Sequence, residues 1–268
     1  MELITVKTKS HKVVIAPIGD IQWSGGDGPT ALDHVKRHIE RAMKLKAWFV
    51  GMGDYIDFMS PSNRMRLTSA ALYDTAQQVV SDAGFRLCQE VYQDILKPTK
   101  GRWLGLLEGH HFYEVQGQTS DMWLAKALGC SFLGTSAYIR LEPSGVVLWV
   151  HHGNGGGSTP GASLNTLSRV AAGLGGADVY MMGHTTRLSV SRLSRPSPNA
   201  RHTNLTHADI FLVNCGGFSK SNIVGHKHGE IARGDYAEQR MLTPSPLCAP
   251  FIHIDGKADS AYRIRVEV

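Results

Sequence analysis

Short apolar segments alternate with stretches of helical periodicity over the first two thirds of the chain, which is typical of a layered α/β domain. Strands are predicted at residues 12–18, 47–52, 102–107, 138–141, 146–150, 177–182, 188–193, 209–215, 236–242, 250–254 and 262–266. The first helix is predicted to begin near Thr30, whose side chain would cap it. Further helices are predicted at 64–96, with a break near Gly84, at 119–128 and at 164–172. Helical periodicity largely stops after Thr186, so the last third is expected to complete a second sheet. The pattern predicts one α/β domain over residues 1–268, a two-sheet β-sandwich flanked by helices in four layers.

The composition is that of an ordinary globular protein, with 42% apolar and 19% charged residues among 268. A chain of this size buries about 75% of the surface of the unfolded chain, so it needs no disulfide or structural metal to fold. The four cysteines have no paired spacing and are expected to be free thiols. The amino terminus lacks a signal-peptide core, and no apolar run approaches the roughly 20 residues that span a bilayer. These features predict a cytoplasmic protein without membrane contact.

The formal net charge of +5 is compatible with an anionic substrate or with nucleic acid. The basic residues are spread thinly, apart from a group at 36–46 and another in a predicted exposed loop at 194–207. Proteins that bind nucleic acid usually concentrate their basic residues. The charge pattern therefore favours solvated faces, while nucleic acid stays an open alternative as a partner.

Polar side chains with metal-binding chemistry directly follow five of the predicted strands. They are Asp20, Asp54, His110 with His111, His151 with His152, and His184. The carboxyl ends of strands form the ligand-binding edge of open α/β sheets, so these side chains are expected to converge. Carboxylate oxygens mixed with imidazole nitrogens suit Mn, Fe or Zn, and not Mg or Ca alone. Adjacent strand residues point to opposite faces, so only one of His151 and His152 is expected to face the site, and His152, which precedes a glycine, is favoured.

The order and spacing of these segments resemble the calcineurin-like metallophosphoesterase family, including its uncharacterised phage-type members. The blocks of that family run Asp-x-His, Gly-Asp-x-x-Asp, Gly-Asn-His followed by Glu or Asp, His-Gly, and Gly-His-x-His. The corresponding segments here are Asp20-Ile21-Gln22, Gly53-Asp54-Tyr55-Ile56-Asp57, Gly109-His110-His111-Phe112, His152-Gly153 and Gly183-His184-Thr185-Thr186. Each block is weak alone, but their shared order after predicted strands, within residues 12–187, is specific.

The resemblance implies one or two divalent transition-metal ions per chain (Mn, Fe or Zn) and a metal-activated water that attacks phosphorus. It assigns Asp20 and Gln22 to the first ion, Asp54 to both ions, and His110, His152 and His184 to the second ion. His111 occupies the position of the general acid, and Asp57 would orient a ligand or backbone amides, or simply cap a helix. Thr186 and Arg187 are candidates for substrate binding, Arg187 because a guanidinium can contact two phosphate oxygens at once.

Several positions depart from the family pattern. Gln22 and Thr186 replace imidazoles, which makes the first metal site poorer, whereas His110 replaces an amide oxygen and makes the second site richer. A second Gly-His-x-His segment at 225–228 is a candidate source of the missing imidazole, with an exposed loop as the alternative interpretation.

A further departure concerns the partner of the general acid. Phe112 stands where the family has an acid that orients His111. Glu108 and Glu114 are the candidate replacements, and the spacing does not choose between them.

The sequence predicts a metal-dependent phosphoesterase, more specifically a phosphodiesterase, that acts on a phosphoester without a covalent enzyme intermediate. One alternative is a nuclease resembling the recombination-repair branch of the family, which a continuous basic groove would favour. The other is a non-catalytic scaffold with a degraded first metal site, for which Gln22 and Thr186 are the evidence. The retained cluster of polar groups argues against the scaffold, because burying such groups is costly without a use.

Overall fold

The computed structural model describes residues 1–26, 28–70, 73–115, 117–155, 159–198, 201–228, 230–232, 234–259 and 261–268. Its strands are β1 Glu2–Lys7, β2 Lys12–Ile18, β3 Trp48–Gly51, β4 Trp103–Leu106, β5 Glu114–Val115, β6 Gln118–Thr119, β7 Ser136–Glu142, β8 Val146–His151, β9 Val179–Met182, β10 Leu188–Pro198, β11 Leu205–Cys215, β12 Lys227–His228, β13 Ile231–Ala232, β14 Phe251–Asp255 and β15 Ile264–Glu267. Its α-helices are α1 Leu32–Lys44, α2 Pro61–Ser69, α3 Asp74–Glu90, α4 Ser120–Leu128, α5 Pro160–Gly173 and α6 Tyr236–Gln239. A π-helical turn, Val91–Leu96, and a 3₁₀ turn, Lys97–Thr99, continue α3.

Two mixed sheets form the centre of the fold. The six-stranded sheet has the order β1-β7-β8-β9-β11-β10, and the five-stranded sheet has the order β15-β14-β2-β3-β4. Strands β2, β3 and β4 are parallel to one another, as are β8, β9 and β11. The carboxyl ends of each parallel set therefore lie along one edge of its sheet.

The sheets pack face to face because their strands alternate between two apolar faces. In β2, Val13 and Ile15 face the core between the sheets, whereas Ala16 and Ile18 face the helices. Helices α1, α3 and α4 cover the outer face of the five-stranded sheet, and α5 covers the outer face of the six-stranded sheet. The predicted mixed α/β architecture with two sheets and flanking helices is confirmed at this level. Within the described ranges, no helix combines the length and apolar character needed to cross a membrane.

The predicted helix at 64–96 is wrong in where it breaks. Helix α2 ends at Ser69 and α3 begins at Asp74, whereas Gly84 lies inside α3. A side chain at Gly84 would come within 2.6 Å of the Tyr113 ring, so this glycine allows close packing and does not end the helix. The predicted cap of α1 is also wrong: the Thr30 hydroxyl donates to the carbonyl oxygens of residues 21 and 22, and Ala31 is the N-cap residue.

Two predictions in the last third are corrected. Residues 236–242 do not form a strand; they begin with α6, whose start is fixed by the Asp235 carboxylate accepting the Glu238 N–H at 2.9 Å. The loop predicted at 194–207 is largely the outer part of an antiparallel hairpin, in which Pro198 pairs with Leu205; residues 199 and 200 lie outside the described ranges. Prolines lower strand propensity, but β10 is an edge strand, where proline is tolerated.

The buried imidazole of His38 predicts a pH dependence of stability. His38 stacks on Phe251 with ring centroids 4.7 Å apart, and burial lowers its pKa from 6.5 to about 4. The unfolded chain therefore binds a proton at higher pH than the folded protein, and stability is lost as pH falls from about 6.5 towards 4. We expect the wild type to lose about 2 kcal/mol more than His38→Phe between about pH 7.5 and about pH 5, measured by urea unfolding.

The matched control for this measurement is His34→Gln, because His34 is exposed on the same helix. It is expected to keep the wild-type slope of unfolding free energy against pH. An equal slope in the wild type and in His38→Phe would contradict the assignment.

Candidate metal centre

The ends of five parallel strands from both sheets meet at one edge of the sandwich. Asp20 and Gln22 follow β2, Asp54 follows β3, His110 and His111 follow β4, His152 follows β8, and His184 and Thr186 follow β9. The His184 N–H donates to Asp20 Oδ2 at 2.9 Å, which joins the edge of the six-stranded sheet to that of the five-stranded sheet. The Gln22 N–H donates to the Asp54 carbonyl oxygen at 3.0 Å. The structure therefore brings together the predicted metal-binding segments.

Three imidazoles form the centre of the site. Ring nitrogens of His110, His152 and His184 all lie within 4.8 Å of one another. The Nδ1 atoms of His110 and His184 are 3.2 Å apart, and His152 Nε2 lies 3.3 Å from Asp54 Oδ2. With metal–ligand bonds of about 2.0–2.1 Å, two ligand atoms on one ion are separated by about 2.9–3.4 Å. Both separations fit atoms that share a cation.

His152 is held with one nitrogen turned towards the cluster. Its Nδ1 lies 2.6 Å from the Met52 carbonyl oxygen, so Nδ1 carries a hydrogen and Nε2 faces Asp54. Among the described residues, Asp20 Oδ1 is buried without a hydrogen-bond partner. An orphaned buried polar atom costs about 1–3 kcal/mol, and a cation would relieve this cost at Asp20. The donor set therefore fits a transition-metal ion.

The protonation states of the cluster are set by burial and by its close charges. Burial raises the pKa of Asp20 to about 7 and lowers the pKa of His184 to about 4, where the imidazole stays neutral and able to coordinate. Burial also opposes protonation of His152, but Asp54 outweighs it and raises the pKa of His152 to about 9. His152 in turn lowers the pKa of Asp54, against the effect of burial. Without a cation, Asp54 and His152 therefore act as an ion pair.

The site residues share an unusual backbone conformation. Asp20, Gln22, Asp54, His184 and Thr186 have φ values of 47°, 50°, 54°, 67° and 54°. A left-handed conformation costs a non-glycine residue about 1–2 kcal/mol, and such strain concentrates at functional sites. The left-handed residues are two positions apart both after β2, at Asp20 and Gln22, and after β9, at His184 and Thr186. These two turns therefore have a similar backbone conformation. Asp and His adopt this conformation more often than most residues, but Gln22 and Thr186 do not favour it, so the residue types do not predict the shared conformation.

The backbone N–H groups of the segment after β4 are bound by two buried carboxylates. Asp54 Oδ1 accepts the backbone N–H groups of both His110 and His111, and Asp121 Oδ2 accepts the Gly109 N–H at 2.8 Å. The sequence does not single out Asp121, because an acidic residue in the first turn of a helix such as α4 is common. It is 1% exposed, and burial raises its pKa to about 7. Arg64, which contacts the same segment from α2, was also missed.

His111 and Asp57 form a direct pair. His111 Nδ1 lies 2.7 Å from Asp57 Oδ1, and this hydrogen bond raises the pKa of His111. Asp57, and not Glu108 or Glu114, is the carboxylate bonded to His111; Glu108 interacts with Thr119. This contact favours the interpretation that Asp57 orients a side chain in the site over the alternative that it caps a helix.

The remaining candidates lie at the edge of the cluster. Thr186 and Asp20 both lie against Gly217, where a Cβ would contact both side chains. The Thr186 hydroxyl donates to the Thr185 carbonyl oxygen. Arg187 is 9% exposed, and its Nη1 donates to the Thr243 hydroxyl at 2.8 Å. Its contact with a phosphate stays a prediction.

Two other histidine positions are not brought into the cluster. His151 accepts the Gly153 N–H and stacks on Trp149, so the expected choice of His152 agrees with the geometry. His226 is exposed, which favours the loop interpretation of residues 225–228; the side chain of His228 lies outside what the structure describes.

No protein-family model matches the chain, and no curated protein matches its sequence. The class of protein is thus defined by fold and site: a mixed α/β sandwich with a candidate transition-metal centre where the edges of its two sheets meet.

Proposed function

We propose that the chain is a metal-dependent phosphoesterase, more specifically a phosphodiesterase, with the four-layer fold of the metallophosphoesterases that its sequence resembles. The observation that carries the proposal is the convergence of His110, His152 and His184 with Asp54 at the joined sheet edges. This set would hold one Mn, Fe or Zn ion, and Asp20 with Gln22 would hold a second, weaker ion that shares Asp54. Three imidazoles and a carboxylate are the richer donor set.

The side chains support hydrolysis by an activated water. When bound, divalent ions lower the pKa of a water and neutralise charge that grows on phosphoryl oxygens. His111 is half-buried at the edge of the cluster, and Asp57 holds its Nδ1 and favours the protonated ring. His111 Nε2 would then donate the proton that the leaving oxygen needs. His152 and Asp54 are buried beneath, and the half-buried His110 and His184 leave the cluster open to a substrate.

Hydrolysis assays on three substrates test this function. Wild-type protein with Mn is expected to cleave bis-p-nitrophenyl phosphate, a diester, faster than the monoester p-nitrophenyl phosphate. Faster cleavage of single-stranded DNA than of the small diester would favour the nuclease alternative. Metal binding without turnover of any of the three would favour the scaffold and contradict the proposal.

The His111–Asp57 pair predicts a dependence on the leaving group. A nitrophenolate leaves without a proton, whereas an alkoxide requires one. We therefore expect His111→Gln to lower kcat/KM for a dialkyl phosphodiester by about 100-fold, and Asp57→Asn by a smaller factor, with little effect on the bis-nitrophenyl ester. The measurement is kcat/KM for both substrates in each variant. Equal losses on the two substrates would rule out proton donation by His111.

A further inference from the structure

The two imidazoles that follow β4 lie on an irregular segment, residues 109–112, and not on a helix or a strand. The N–H groups of this segment are bound by Asp54 and Asp121, as described above. Its carbonyl oxygens point the other way, towards the start of α2. The His111 carbonyl oxygen accepts the N–H groups of residues 58 and 59.

The side chain of Arg64 binds the two carbonyl oxygens on either side of His111. Its Nη1 donates to the His110 carbonyl oxygen at 2.8 Å and to the Phe112 carbonyl oxygen at 3.2 Å. The same nitrogen donates to the Met59 carbonyl oxygen at 2.8 Å. The guanidinium carbon lies 3.7 Å from the centroid of the Phe112 ring. Both the backbone and one side chain of segment 109–112 are therefore in contact with a single cationic group.

Arg64 is itself held in place. Ser60 is the N-cap of helix α2 and its hydroxyl accepts the Asn63 N–H, while Pro61 at the first helical position fixes the backbone. Arg64 is on the first turn of this capped helix, one residue after Asn63. An arginine is charged at any relevant pH, and a planar guanidinium loses less freedom for each hydrogen bond than a lysine does.

We propose that Arg64 is a positioning residue for the metal centre, which sets the orientation of His110 towards His184 and of His111 towards Asp57. This inference rests on the proposed function, because its first test measures metal binding. Arg64 acts through the carbonyl oxygens of segment 109–112, opposite to the carboxylates of Asp54 and Asp121. Removing it leaves the carbonyl side of the segment bound only through the His111 carbonyl oxygen, which accepts the N–H groups of residues 58 and 59.

Cobalt binding is the first test. In Arg64→Met we expect Co²⁺ affinity to fall 10- to 100-fold, the range typical of groups that orient metal ligands, and the visible spectrum of the bound cobalt to change. Arg64→Lys, which keeps a charged donor, is expected to restore part of the affinity. The control is Arg66→Met on the exposed face of the same helix, with wild-type affinity and spectrum expected.

Amide hydrogen exchange of the metal-free protein is the second test, and it does not depend on the proposed function. Exchange of the His110 and His111 amides is expected to accelerate at least about 10-fold in Arg64→Met, less in Arg64→Lys and not in Arg66→Met. The free energy of unfolding is measured to establish that each variant is folded. If Arg64→Met does not fold, the comparison is made with Arg64→Lys alone. Unchanged exchange would overturn the inference. Wild-type protein that binds no cobalt would contradict the proposed function and leave the exchange result to decide the role of Arg64.

Discussion

Replacing His152 with alanine is expected to abolish both tight metal binding and phosphodiester hydrolysis. His152 is 1% exposed, its Nδ1 is bound to the Met52 carbonyl oxygen, and its Nε2 faces Asp54 at 3.3 Å. The substitution removes one of the imidazole donors and leaves the Asp54 carboxylate buried without its partner. We expect metal affinity to fall by more than about 100-fold, beyond the effect typical of groups that only orient ligands, and turnover to fall with it.

The neighbouring residue supplies the control for this prediction. His151→Ala removes an imidazole of the same chain segment, but that ring stacks on Trp149 and accepts the Gly153 N–H instead of facing the cluster. It is expected to keep wild-type metal content and turnover. Metal content by elemental analysis and initial rates with added Mn are measured for both variants. A His152→Ala protein that keeps its metal, or a His151→Ala protein that loses it, would contradict the assignment.

Gly109→Ala is expected to have the second largest effect, because no space exists for a methyl group at this position. A Cβ at Gly109 would lie 2.1 Å from the Asp54 backbone nitrogen and 2.2 Å from Asp54 Oδ1. The nitrogen belongs to the backbone and cannot rotate away, so the segment after β4 must move off Asp54. We expect a loss of about 3 kcal/mol in the free energy of unfolding and, in the folded fraction, loss of metal binding.

A matched glycine tests whether this effect is specific. Gly175 has no atom within 4 Å of its would-be Cβ and no left-handed backbone, so Gly175→Ala is expected to change stability by less than about 0.5 kcal/mol. Urea unfolding and metal titration of the two variants make the comparison. Near-wild-type stability and metal affinity in Gly109→Ala would show that the contact with Asp54 is looser than described.

The sequence predicts most of the site because its residues follow strands. A buried strand has a definite end, so Asp20, Asp54 and His184 can each be placed at the carboxyl end of a strand and expected to converge. The two-residue period of a strand allows only one of His151 and His152 to face the site, and the glycine that follows His152 favours His152. The resemblance to the metallophosphoesterase family then implies which side chains would share a cation.

Other parts of the site depend on contacts between distant segments and leave no local signal. Arg64 is 46 residues from His110 and Asp121 is 12 residues from Gly109, and each resembles an ordinary surface residue in its own helix. The pairing of Asp57 with His111 likewise follows from folding and not from spacing. The left-handed backbone at the strand ends is imposed by the turn, since residues such as Gln22 and Thr186 do not favour it.

The fold shows the same division between local and non-local information. Core strands such as β3 and β9 are short, continuous apolar segments and are predicted nearly to their ends. Strand β1 is exposed along most of its length and becomes a strand by pairing with β7 at the edge of the six-stranded sheet. Helix α6 is a single turn, and the apolar pairs at 236–237 and 241–242, separated by three polar residues, favour neither a helical nor a strand period.

Metal stoichiometry of the wild-type protein tests the central claim most directly. The protein is purified without chelator, equilibrated with Mn, and analysed for elemental metal per chain. The account predicts two ions per chain at saturating Mn, one of which stays bound after passage through a desalting column. A chain that retains no Mn, Fe or Zn under these conditions would contradict a metal centre at the joined edges of the two sheets, and with it the proposed function.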